Sequence, residues 1–217
     1  MLLCLCLLGC TKQSAPAPDA APSPPAGVQS KESLPKIVAF GDSLTAGLGL
    51  SAQETFPALL QERLKQDGYH YEVVNSGVSG DTSAGGVRRI DWALDGDVRF
   101  LILELGANDF LRGQPIAETR KNLAQIIERA QSKNAQVLLA GMLTPTSSGL
   151  EYEDQIRKMF SDLASEKQVK LIPFFLEGVA GVELLNQSDG IHPNAAGSKI
   201  VAETVYKYLK PMLDESR

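Results

Sequence analysis

One stretch restricts the fold more than any other. Val98-Arg99-Phe100-Leu101-Ile102-Leu103-Glu104-Leu105 is almost continuously apolar and stops at Gly106. A strand with one wet face alternates apolar and polar residues. A run like this one therefore belongs to a strand covered on both sides, as in a parallel sheet with helices on each face. Lys36-Ile37-Val38-Ala39-Phe40, Tyr71-Glu72-Val73-Val74, Gln136 to Met142 and Val169-Lys170-Leu171-Ile172 read as its companion strands. Between them, apolar residues recur at helical spacing. Phe56 to Leu64 is one such segment, Ser83 to Leu94 follows the capping run Asp81-Thr82-Ser83, and Ile116 to Ser132 and Asp154 to Glu166 are two more. Residues 179–186 suggest a short helix, and Asn194 caps a last one from Ala195 to about Leu209. Strands alternating with helices in this way predict an α/β protein: a three-layer α/β/α sandwich on a five-stranded, flavodoxin-like parallel sheet.

The 217 residues, 43% hydrophobic and 22% charged, fit one such domain plus short extras. The domain is expected over residues 34–217. Ser14 to Ser33 is rich in Pro, Ala and Ser and has too few large apolar residues to fold, so it reads as a disordered tether. Met1 to Leu8 is nearly all apolar and runs into Leu7-Leu8-Gly9-Cys10, which resembles a bacterial lipoprotein signal. Residues 1–9 would be removed, leaving Cys10 as the lipidated first residue at the head of the 10–33 tether. The protein would then sit in the cell envelope, on the periplasmic or extracellular side, held to a membrane by its lipid. Cys4, Cys6 and Cys10 are the only cysteines, so the body of the domain has no disulfide framework or Cys/His metal pattern. The net charge of -5, with no block of Lys or Arg, argues against nucleic acid as a partner.

Four loops carry chemistry-bearing residues: Gly41-Asp42-Ser43-Leu44, Asn75-Ser76-Gly77, Gly106-Ala107-Asn108-Asp109 and Asp189-Gly190-Ile191-His192-Pro193. The first three each follow a strand directly, so a parallel sheet gathers them along one edge, where open α/β sheets bind their ligands. The fourth precedes the last helix, which this architecture would place beside the first strand. Together they hold what acyl transfer needs. Ser43 is the candidate nucleophile and His192 its base; His70, the other histidine, begins the second strand, away from these loops. Asp189 lies three residues before His192 with a glycine between them, a spacing that lets its carboxylate fold back onto the imidazole. The backbone N–H groups of Ser43 and Gly77 and the side-chain amide of Asn108 are candidate oxyanion donors. Phe110, Leu111 and Ile191 stand next to these residues in sequence and are candidate walls for an apolar acyl slot. No metal site or cofactor is expected.

These four blocks resemble those of the SGNH, or GDSL, hydrolases, and the likeness covers about Lys36 to Leu213. It implies the fold above, a Ser43-His192-Asp189 triad, and Ser43, Gly77 and Asn108 as oxyanion donors. Val78-Ser79-Gly80-Asp81-Thr82-Ser83 and Asn108-Asp109-Phe110-Leu111-Arg112-Gly113 are similar to the bacterial branch called thioesterase I, lysophospholipase or arylesterase. The implied activity is a serine esterase working on acyl esters and thioesters, lysophospholipids included. Other readings are an O-acetylesterase of polysaccharide or peptidoglycan with the same triad, and a non-catalytic tethered ligand-binding module. A carboxylate-metal hydrolase built on Asp42, Asp109, Asp189 and His192 is a further one.

Overall fold

The computed structural model describes residues 34–144 and 149–216. The expected signal, Cys10 and the tether lie outside the described residues. Five strands form one sheet: β1 (Lys36–Gly41), β2 (Glu72–Gly77), β3 (Val98–Glu104), β4 (Gln136–Ala140) and β5 (Lys170–Ile172). All pairings are parallel and the order is β2-β1-β3-β4-β5, the flavodoxin-like arrangement expected.

The long helices are α2 (Phe56–Gln66), α3 (Ser83–Ala93), α5 (Ile116–Ser132), α6 (Leu150–Lys167) and α7 (Ala195–Glu215), joined by the short α1 (Ser43–Ala46) and α4 (Ala107–Leu111). Helices α3, α5 and α6 pack on one another in sequence, while α2 packs on α7. The grouping follows from the right-handed crossover of a parallel sheet: the chain runs one way from β1 to β2 and the other way from β2 to β5. Helix α7 takes α2 and β5 as its chief partners rather than the first strand. It also runs past Leu209 and through Pro211 to Glu215. Met212 and Leu213 are still buried there, and that burial outweighs the backbone bond that Pro211 cannot make.

Residues Ile37 to Phe40 and Phe100 to Leu103 are essentially excluded from solvent, so β1 and β3 are the centre of the core. The chain leaves the carboxyl ends of these two neighbouring strands in the reversal that opens the crevice of this topology. Ser43 and Asn108 follow directly after them.

Candidate active site

The site starts from the exit of β1. Asp42 is the N-cap of α1, and its Oδ1 accepts the Leu44 N–H at 3.0 Å. This turn makes Ser43 the first helical residue, whose own N–H has no intrahelical acceptor. Ser43 Oγ lies 2.8 Å from His192 Nε2, and Asp189 Oδ2 lies 2.7 Å from His192 Nδ1. An ionised carboxylate only accepts, so Nδ1 carries the imidazole proton and Nε2 is left to accept from the serine hydroxyl. Asp189 Oδ1 accepts the N–H groups of Ile191 at 2.9 Å and His192 at 3.0 Å. These backbone bonds, with the imidazole, hold its carboxyl down to about 2 although its side chain is 43% exposed.

The loop bearing Asp189 and His192 is braced locally. Gln187 N–H donates to the His192 carbonyl at 2.7 Å, Asn186 pairs with Pro193 in an antiparallel bridge, and Asn194 caps α7. Gln187 Nε2 also donates to the carbonyls of Leu48 at 2.7 Å and Pro193 at 3.0 Å, which ties the base loop to the residues after α1. Nothing in the spacing of the motifs singles out Gln187.

On the other side, Asn108 is the second residue of α4, and its Nδ2 donates to Asp42 Oδ2 at 2.9 Å. An amide nitrogen has two hydrogens, so one remains for the groove that Asn108 lines together with Ser43 and His192.

Gly77 is in a different place from the one expected. It ends β2 opposite Gly41, and a Cβ there would come within 2.1 Å of the Ala46 nitrogen. Its N–H is taken by Asn75 Oδ1 at 3.0 Å. Gly77 is a glycine because α1 crosses over it. The glycine on the groove is Gly80, whose φ of +79° turns the loop back toward Ser43 and whose carbonyl accepts Arg112 Nη2 at 2.8 Å. Gly77 ends β2 and Gly80 follows three residues later, and only the fold decides which one faces the groove.

The groove, about 240 Å³, is lined by Asp42, Ser43, Gly80, Asn108, Leu111 and His192. Leu44, Ala107, Leu111 and Ile191 are shared with an adjoining cavity of about 410 Å³. Met142, Phe174 and Leu176 add to its mainly apolar wall, which Thr144 and Glu153 also join. Leu111 and Ile191 are 55% and 48% exposed at this junction. Phe110 is not on either wall. It is 5% exposed and packs edge-on against Phe160, because one step along α4 turns its side chain from the groove into the core.

Known proteins resemble the chain over most of its length. The model of the GDSL-like Lipase/Acylhydrolase family covers residues 39–200. The chain is 42% identical to Esterase TesA of Pseudomonas aeruginosa over 178 residues, 82% of this chain and 89% of that protein. It is 36% identical to Thioesterase 1/protease 1/lysophospholipase L1 of Escherichia coli strain K12 over 179 residues, 82% of this chain and 85% of that one. A crystal structure of TesA superposes with a TM-score of 0.80 at 41% identity, covering 82% of this chain and 99% of that chain.

Proposed function

The chain belongs to the GDSL-like lipase/acylhydrolase family, and on that premise we propose that it hydrolyses acyl esters and thioesters through Ser43, His192 and Asp189. It is a hydrolase, with relatives named as an esterase and as a thioesterase/lysophospholipase. One observation carries the assignment of residues: the unbroken relay from Ser43 through His192 to Asp189, 2.8 and 2.7 Å long, beside an apolar cavity.

The chemistry runs as follows. Ser43 Oγ attacks the carbonyl carbon while its proton passes to His192 Nε2. The negative charge that develops on the carbonyl oxygen is met by the N–H groups of Ser43 and Gly80 and by the free N–H of Asn108. The C–O or C–S bond then breaks, and the leaving group takes the proton from His192. Water, deprotonated by His192, attacks the acyl-Ser43 ester and releases the acid. Asp189 stabilises the imidazolium formed in each half.

The apolar cavity at Leu111 and Ile191 suits acyl chains longer than acetyl, which favours lipid-like and aryl esters over O-acetyl groups on polysaccharide. A fluorophosphonate probe followed by an ester and thioester panel tests the reading. Label is expected on Ser43, and Ser43→Ala should lose roughly a millionfold in rate, because the members of a triad act as a unit. A label elsewhere, or full activity in that variant, would overturn it.

The envelope location belongs to the same proposal. The Leu7-Leu8-Gly9-Cys10 signal supports a lipid on Cys10, anchoring the enzyme on the periplasmic or extracellular side of a membrane. Cys10→Ala should move the protein from the detergent phase to the aqueous phase; a variant that stays in detergent would end the anchor proposal.

A further inference from the structure

Behind the groove two carboxyl groups lie together with no ion pair to either among the described residues. Glu104, the last residue of β3, is fully excluded from solvent, and Asp42 is 1% exposed. Glu104 Oε2 accepts from the Asp42 N–H at 3.2 Å and from Thr45 Oγ1 at 2.8 Å. Its Oε1 has no hydrogen-bond partner among the described residues. Asp42, by contrast, accepts an N–H on each oxygen, from Leu44 and from Asn108.

The charged groups facing the pair are committed elsewhere. Arg89 on α3 donates to Asp81 Oδ2 and to the carbonyls of Ser76 and Gly41. His192, across the groove, is held between Ser43 and Asp189. Two unpaired anions this deep would be strongly unfavourable, so the pair keeps one proton.

We propose that Glu104 holds this proton at neutral pH and, as a neutral acid, is the positioning residue that keeps Asp42 an acceptor and so fixes the amide of Asn108. The division follows from the bonds. Asp42 has the donors that stabilise an anion, whereas Glu104 Oε1 is the one oxygen left to carry a hydrogen. Burial and the Asp42 charge push the Glu104 carboxyl well above the usual carboxylate range. Burial raises Asp42 too, and the bonds from Leu44 and Asn108 oppose that rise.

The consequence falls on Asn108. Facing a carboxylate, its amide must present nitrogen, and the second hydrogen on that nitrogen is the one available to the oxyanion. Were Asp42 the protonated partner, it could donate to Asn108 Oδ1 instead, and the reversed amide would turn a lone pair to the place where negative charge develops.

This inference rests on reading Asn108 as an oxyanion donor, and the test separates the two. In the full protein labelled with carbon-13 glutamate, one side-chain carboxyl resonance should sit at the protonated position at pH 7. It should vanish in Glu104→Gln. All glutamates at the ionised position would overturn the inference. Glu104→Gln should keep kcat within about threefold, since its amide oxygen can accept from the Asp42 N–H and from Thr45 as Oε2 does. Glu104→Leu, similar in volume, should lose about a hundredfold in kcat with KM within about threefold, and should weaken a trifluoromethyl ketone inhibitor by the same factor as kcat. A Gln variant as impaired as the Leu variant, or a Leu variant with normal turnover, would also overturn it. Full activity in Asn108→Ala, with the protonated glutamate signal in place, would instead defeat the oxyanion reading alone.

Discussion

Around Ser43, the groups facing the carbonyl oxygen grow out of buried strand ends, whereas the groups that would move its proton sit on a partly exposed loop. Asp42, Glu104 and Asn108 follow or close the two innermost strands, and the first two are almost wholly excluded from water. Asp189 and His192 lie on the loop between a short 3-10 turn at Glu183–Leu185 and α7, with side chains 43% and 17% exposed, and are braced by bonds made within residues 186–194 and by Gln187. Charge that develops on a fixed atom is best stabilised by donors that cannot move, and the core supplies that rigidity. A proton carrier must turn from the nucleophile to the leaving group to water, and a loop braced at its base can allow it.

The sharpest way to break this contrast is to remove one polar group from each side. Asp189→Asn should lose about ten-thousandfold in kcat, through the wrong imidazole tautomer, with thermal stability nearly unchanged. Asn108→Ala should lose about a hundred- to a thousandfold. If Asp189→Asn unfolded the protein as readily as a core substitution, the exposed loop would be structural and the contrast would fail.

The two glycines sharpen the boundary between the sides. Gly77→Ala puts a methyl against the Ala46 backbone at 2.1 Å and should cost stability by several kcal/mol or prevent folding, as overpacking beneath a fixed backbone does. Among the described residues Gly80→Ala has only Arg112 near its new carbon, at 3.6 Å, so its cost is the strain of a positive φ, about 1–2 kcal/mol. It should therefore fold and lose turnover. Melting temperature and kcat measured on both variants decide which glycine belongs to the groove.

The smallest effect concerns acid. Asp189 titrates near 2, below its ordinary 3.8, so its favourable bonds are complete above about pH 4 and are lost as the pH falls toward 2. Its exposure makes the stability change small. Carbon-detected titration of Asp189 should give a midpoint near 2, and one near 3.8 would mean that the Ile191 and His192 N–H groups do not hold it.

Strand ends were the legible part of this chain. Continuous apolar runs stop abruptly at Gly41 and Gly106, which located Ser43 and Asn108 without any three-dimensional information. The spacing of Asp189 and His192 was readable because their contact is local. Gly80 was hidden beside Gly77, since sequence does not tell which peptide of a turn points inward. Glu104 was hidden inside the most apolar run, where a single carboxyl reads as a strand residue. Phe110 turns into the core because each step along a helix rotates the side chain by about 100°. Leu111, its neighbour, does line the groove.

Ser43 and His192 touch across 149 positions of chain. During synthesis the nucleophile therefore emerges early and the base late, and no segment short of the loop before α7 can close the relay. A nascent chain would be chemically silent throughout its elongation, with hydrolysis beginning only once the last crossover has docked.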